Sequence, residues 1–227
     1  MILALDTATP ATVVGVAAAD GTLLAQRRHD PAPGERPGHT AQLLPLAHAA
    51  LTEAGVAWSD VTRIGAGVGP GTFTGIRIGV ATARALAQGL DAETVALSTL
   101  RALALGAAGH GSAAGPILAI LDARRGEAFL AAYDPQGIAI LPPSAWAPER
   151  LAEVPGLAPG AWQAVGDGAV RFRAELEAVG VAVAPDDADL HQVSAGPLCR
   201  LAAEAPPVPR DGLVPEYVRA PDAVPRR

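Results

Sequence analysis

Short apolar runs separated by turn residues open the chain. Residues 2–5, 12–17 and 23–28 are rich in Val, Leu and Ile, and their spacing predicts a meander of three strands. Asp20-Gly21 supplies a hairpin turn between the second and third, and Asp6-Thr7-Ala8-Thr9 joins the first two. The Pro- and Gly-rich residues 31–38 predict a loop, after which Thr40 is placed to cap a helix running to Ala54 and stopped by Gly55. Within it Leu43, Leu44, Ala47, Ala50 and Leu51 fall on one apolar face, and Pro45 sits early enough to be tolerated.

Beyond a short segment opened by Ser59-Asp60, the period changes. A strand over 63–68 runs into Gly69-Pro-Gly-Thr-Phe-Thr-Gly75 and then a helix ending near Gln88-Gly89, which is an α/β unit. The pattern continues with a strand over 93–97, a helix over 98–106, and an antiparallel pair, 117–122 with 127–133, around Arg124-Arg125-Gly126. Weaker signals predict a strand at 163–165, a helix at 170–179, a strand at 181–183 and a helix at 195–204. The last segment, with six prolines in 22 residues, predicts an extended tail. This order predicts two α/β lobes, residues 1–100 and a smaller 101–205, followed by the Pro-rich tail 206–227.

Composition narrows the chemistry. Half of the 227 residues are apolar, but 51 of them are Ala, so the core is built from small side chains. There is no Lys and no Asn, which removes a P-loop lysine, a Schiff-base lysine and N-glycosylation. The single Cys, Cys199, forms no internal disulfide and no multi-cysteine zinc site. Together with an opening that carries Asp6 in its first apolar run and no preceding base, this predicts a reduced, cytoplasmic setting. The longest uncharged span, 102–121, is broken by Gly, Pro116 and His110, so no membrane crossing is expected. A net charge of −6, with scattered arginines, predicts poor binding to RNA or DNA by the chain alone.

Four groups of residues could carry chemistry. The Gly69–Gly79 string is neither a dinucleotide fingerprint nor a Walker loop. Its helix sets Gly75, Gly79 and Ala83 at spacing four, opposite a polar stripe of Arg77, Arg84 and Gln88. Such a smooth stripe serves tight packing within the chain, a partner interface anchored by Phe73, or an anion at the helix N-terminus. In the first turn, Asp6, Thr7 and Thr9 offer a carboxylate and two hydroxyls to a phosphate or metal, although Asp and Thr also serve simply as turn formers. His39 and His48 lie nine positions apart, on opposite helix faces, and His29 is isolated, so no metal site is predicted. Asp122, Arg124, Arg125 and Glu127 read as an ion-paired hairpin turn.

Read in order, residues 2–9 (ILALDTAT), 39–45 (HTAQLLP), 69–79 (GPGTFTGIRIG), 95–100 (VALSTL) and 121–124 (LDAR) resemble the bacterial TsaB (YeaZ-like) family, and 215–219 (PEYVR) resembles its C-terminal signature. The resemblance implies an actin-like/sugar-kinase-like two-lobed α/β fold with ribonuclease H-like lobes, the second truncated. It also implies a noncatalytic subunit that binds a TsaD-like catalytic subunit and works with a TsaE-like ATPase. The reaction served is formation of threonylcarbamoyladenosine on tRNA beside the anticodon. Where TsaD carries metal-binding histidines, the matching stretch here is Ser98 to Leu103, with no imidazole or thiolate. The same resemblance assigns His39, Leu43, Leu44, Leu51, Phe73, Ile76, Gly79, Val80 and Ala83 to the partner interface. It implies no tightly bound cofactor, ATP or ADP with Mg at the level of the complex, and tRNA contact only through the complex. Apolar helices exposed without their partner leave both a homodimer through the same surface and a monomer open for the free chain. One departure is noted: the family's first turn more usually reads Asp-Thr-Ser-Thr, so a hydroxyl is lost here. Two rival readings are an independent Mg-dependent ATPase or kinase using Asp6, Thr7 and Thr9, and a metalloprotease, which the histidine spacing disfavours.

Overall fold

In the computed structural model, which describes residues 1–109, 115–124, 126–154, 156–157, 159–186 and 188–218, the apolar runs become two five-stranded sheets. The first contains β1 (Ile2–Asp6), β2 (Thr12–Ala17), β3 (Leu23–His29), β4 (Arg63–Gly69) and β5 (Glu93–Ser98), in the order β3-β2-β1-β4-β5. β1, β2 and β3 form the antiparallel meander, and β4 and β5 add parallel to β1. Every position of β1 and β2 is buried, because helices cover both faces of the sheet.

The second sheet repeats the plan. It contains β6 (Ile117–Asp122), β7 (Ala128–Tyr133), β8 (Ala139–Trp146), β9 (Gln163–Val165) and β10 (Ala182–Val183), in the order β10-β9-β6-β7-β8. Its first three strands are antiparallel, and β9 and β10 run parallel to β6, so each strand has a counterpart in the first lobe. The two closing strands are cut to three and two residues, which is where this lobe is reduced.

The helices occupy three layers. α1 (His39–Ala54) and α2 (Phe73–Leu90) cover the outer face of the first sheet, where Leu43, Leu51, Ile76 and Val80 meet Leu3, Leu5, Val14 and Val16. On the outer face of the second lie the short helices α4 (Asp167–Arg171) and α5 (Arg173–Ala178) and a 3₁₀ turn at Pro148–Glu153, and Leu176 of α5 packs with Leu118, Ile120 and Leu130. α3 (Thr99–Gly109) and α6 (Ala195–Glu204) fill the space between the sheets. They are exchanged: α3 follows β5 of the first sheet but packs chiefly on β6 and β7, while α6 follows β10 and packs chiefly on β1 and β2. The predicted division at residue 100 therefore falls at the start of α3, and α6, within the predicted second lobe, lies on the first sheet.

Local departures from the sequence reading have physical causes. Thr40 is not a cap: α1 starts one residue earlier, and the Gly38 carbonyl accepts from Ala41 N and Gln42 N. β8 carried no strand signal because it holds Pro142 and Pro143, which are tolerated there because β8 is an edge strand. The helix predicted at 170–179 is two short helices broken at Phe172. The tail is tied down as far as Val218. Val208 N donates to the Thr94 carbonyl at 2.8 Å, Thr94 Oγ1 donates to the Val208 carbonyl at 2.7 Å, and Leu213 is fully buried under α2 in the outer core of the first lobe. Residues 219–227 of the predicted tail, including Arg219, and Arg125 of the hairpin lie outside the described residues.

Candidate functional site

The C-terminal ends of β1, β4 and β6 converge where the two lobes meet, which is the place an open α/β sheet offers to a ligand. On the first-lobe side stands the β1–β2 turn. Asp6 is completely buried there: Thr99 Oγ1 donates to Oδ2 at 2.7 Å and Ala8 N donates to Oδ1 at 2.8 Å. Burial pushes its carboxyl up to about 6, against the lowering effect of those two donors. Gly67 on the neighbouring strand makes room for the carboxylate, since a Cβ at that position would overlap it.

Thr7 is equally buried, and its Oγ1 donates to the Gly75 carbonyl at 2.7 Å in the first turn of α2. A second tie, Thr72 N to the Ala8 carbonyl at 2.7 Å, fastens the same turn to the residue preceding α2. Of the predicted phosphate-binding trio, only Thr9 lines the cleft. The Asp6 and Thr7 side chains face inward and fasten β1, α2 and α3 to one another.

Across the cleft, of about 370 Å³, stands Asp167 of the second lobe, and Asp122 borders the small adjoining pocket that Thr9 and Asp167 also line. Asp122 Oδ2 accepts from Arg171 Nη1 at 2.7 Å and from Arg124 Nη1 at 3.3 Å, and Asp122 N donates to Asp167 Oδ1 at 3.0 Å. The Asp167 carboxyl is raised above the usual carboxylate range, first by burial and further by the Asp122 charge. Arg28, on the opposite rim, is held by both carboxylate oxygens of Asp30 at 2.6 Å. Each described arginine bordering the cleft is thus engaged by a carboxylate, and the ion-paired hairpin predicted at Asp122 and Arg124 is present with Arg171 as an added partner. A phosphate entering here would have to compete for those cations.

Of the described histidines, His29 and His39 are neighbours, and no three are grouped. His39 is buried with Nδ1 at 2.8 Å from Thr12 Oγ1, and burial, with the neighbouring His29, lowers its pKa. His48 is exposed on the other side of α1, as the spacing predicts. Among the described residues no three His, Cys, Asp or Glu side chains are grouped to hold a metal ion.

The predicted partner surface divides. His39, Leu43, Leu51, Ile76, Gly79, Val80 and Ala83 are buried in the chain's own core, 4% exposed or less where side chains are present. The glycine stripe has an internal cause: a Cβ on Gly75 would overlap the Thr7 carbonyl oxygen, and one on Gly79 would crowd Thr7 Oγ1. Leu44 and Phe73 remain on the surface, 48% and 51% exposed. Spacing groups Leu44 with Leu43, but Leu44 sits at the rim of the apolar face and points outward. Beside Phe73 the structure adds Arg77 and, from the tail, Tyr217, which residue types alone did not connect. The available signal was the 215–219 string, noted only as a family signature.

Residues 35–177 match the family model described as TsaD, tRNA N6-adenosine threonylcarbamoyltransferase. The tRNA threonylcarbamoyladenosine biosynthesis protein TsaB of Escherichia coli K12 is 38% identical over 176 residues, covering 74% of this chain and 71% of that protein. Among solved structures, YeaZ from Pseudomonas aeruginosa is similar with a TM-score of 0.76 and 32% identity, covering 95% of this chain and 98% of that one. The ethanolamine utilization protein EutJ from Carboxydothermus hydrogenoformans shares the fold alone, with a TM-score of 0.51 at 15% identity over 87% of this chain and 88% of that one.

Proposed function

The chain belongs to the TsaB (YeaZ-like) family of threonylcarbamoyladenosine biosynthesis proteins, and from that premise we propose that it is a noncatalytic subunit that docks a TsaD-like transferase. The observation that carries this reading is the exposed pair Leu44 and Phe73 on the outer helices α1 and α2, since large apolar side chains left on a packed helix layer favour a protein partner. The cleft supports the noncatalytic part. With Asp6 and Thr7 satisfied internally and the bordering arginines paired, the chain offers little to polarise a phosphate or activate a nucleophile.

In this scheme the transferase supplies the chemistry and most of the tRNA contact, in keeping with the −6 charge of this chain. A TsaE-like ATPase and its Mg-bound nucleotide join at the level of the complex. The reading is tested by mixing the purified chain with a TsaD-like transferase from the same source, following complex formation by size-exclusion chromatography and threonylcarbamoyl transfer to tRNA. Leu44→Glu and Phe73→Glu should abolish the complex and the stimulation of transfer while melting within a few degrees of the parent. Unimpaired complex formation by both variants, or transfer by this chain alone, would refute it.

A further inference from the structure

On an acidic chain, the exposed side of α2 is cationic: it carries Arg77 and Arg84 and the helix contains no Asp or Glu at all. Arg77 is held in an unusual way. Its guanidinium carbon lies 3.6 Å from the centroid of the Phe73 ring, and its Nε donates to Tyr217 Oη at 2.7 Å. The Tyr217 ring stacks with Phe73 at 5.6 Å between centroids and an interplanar angle of 28°. Tyr217 comes from the tail, 140 residues further on, and is anchored there because Glu216 N donates to the Val68 carbonyl at 2.8 Å. The rings fix the plane of the guanidinium, and the single bond to Tyr217 uses Nε only. Both terminal nitrogens, Nη1 and Nη2, are left without a carboxylate partner among the described residues.

A guanidinium fixed by stacking, with its Nη pair free, is set for a carboxylate, and the flanking rings are set for apolar contact. We propose that the tail and α2 together form the docking element, in which the Phe73–Arg77–Tyr217 stack takes an acidic side chain seated in an apolar patch of the partner protein. This rests on the pairing with a TsaD-like transferase proposed above and names the chemistry that pairing requires. A second copy of this chain fits less well. On the helices that carry this face the only acid is Glu53 of α1, already paired with Arg27, and next to the stack the tail offers one carboxylate, Glu216, against the cations Arg77 and Arg84. Two such faces brought together would oppose cation to cation.

The test measures binding of the TsaD-like transferase by isothermal titration calorimetry at several NaCl concentrations, for the parent chain, Arg77→Gln, Tyr217→Ala and Leu44→Glu. Arg77 and Tyr217 are at the surface, so thermal melts of both variants should match the parent, and circular dichroism checks this. Removing a charge-assisted pair should weaken binding roughly tenfold or more. Arg77→Gln should also flatten the salt dependence, and Tyr217→Ala, which frees the guanidinium, should weaken binding in the same direction. If Arg77→Gln binds as tightly as the parent with the same salt dependence while Leu44→Glu fails to bind, the stack is not the docking element and the pairing itself stands. If the parent chain does not bind the transferase at all, both this assignment and the pairing fall. Self-association of the parent that Arg77→Gln strengthens would agree with cation opposing cation; self-association that it weakens would make a second copy the occupant and overturn the assignment.

Discussion

Three glycines in one helix, given the same substitution, should respond with opposite signs. α2 holds Gly75, Gly79 and Gly89, and replacing a helical Gly by Ala ordinarily stabilises by about 1 kcal/mol. At Gly89 no atom lies within 4 Å of the added Cβ, so Gly89→Ala should gain about 0.5–1 kcal/mol. At Gly75 the Cβ would overlap the backbone oxygen of Thr7 and come within 2.5 Å of Thr72 Oγ1. Backbone cannot rotate out of the way, so the helix must shift from the turn and loosen two hydrogen bonds, Thr7 Oγ1 to the Gly75 carbonyl and Thr72 N to the Ala8 carbonyl. Overpacking at about 1–3 kcal/mol and two bonds at about 1 kcal/mol each, less about 1 kcal/mol of helix propensity, leave a net loss of about 2–4 kcal/mol. For a chain of this length that is roughly 5–15 °C in Tm. Gly79→Ala should fall between the two, because its obstacle is the Thr7 hydroxyl, which can rotate away at the loss of one bond. Urea unfolding followed by circular dichroism, on the three single variants, gives the comparison directly. If Gly75→Ala were as stable as Gly89→Ala, the stripe would not be packed against the β1–β2 turn, and its assignment to the chain's own interior would be wrong.

Other perturbations test the remaining links. The carboxyl of Asp6 is raised from 3.8 to about 6 on folding, so the native state binds the extra proton between those values. Its contribution to stability is therefore full below about pH 4 and is lost as pH rises through about 6, by about 3 kcal/mol. Asp6→Asn should remove this decline, and urea midpoints of parent and variant that stay parallel from pH 4 to 7 would count against it. Leu213→Ala should cost about 2–4 kcal/mol in urea unfolding, because the side chain is fully buried although it lies in the Pro-rich tail; a neutral result would make the tail dispensable to the core. Millimolar Mg-ATP should leave the Tm of the free chain within about 1 °C, whereas a rise abolished by Thr9→Ala would show a nucleotide bound in the cleft.

Much of the first lobe was legible because its local signals agree with its tertiary role. Alternation, the Asp20-Gly21 turn, Gly55 after α1 and Gly69 at the end of β4 point the same way, and β1, β2, α1 and α2 lie close to their predicted positions. The second lobe was harder to read because its elements are short. An edge strand with two prolines, a helix interrupted at Phe172 and a two-residue strand give periodicity little to act on. The site failed to resolve for a different reason. Spacing identifies which residues share a helix face but not which face turns toward the sheet and which toward solvent. Leu43 and Leu44 share the predicted apolar side of α1 and have opposite fates, and the smooth side of α2 fits the turn that holds Thr7 as well as it would fit a second protein. Contacts across 140 residues, such as Arg77 with Tyr217, leave no periodic trace.

The exchanged helices bear on which helix layer suits the proposed docking. Because α3 and α6 each cross to the opposite sheet, the space between the lobes is closed by apolar contacts rather than left as a wide cleft. Recognition must then use the outer faces. On the second lobe that layer is a 3₁₀ turn at Pro148–Glu153 followed by helices of five and six residues, too short to present a continuous stripe. In the first lobe the equivalent positions hold helices of 16 and 18 residues lying side by side. Helices of that length expose several turns each, enough for ridges of a partner's helices to seat between them. Leu44, Phe73 and Arg77 all lie on that long layer, and the tail adds Tyr217 at its edge. Under the proposed pairing, the asymmetry between two lobes of the same plan favours the first lobe as the docking side, and shortening α2 rather than any element of the second lobe is the change that should abolish docking.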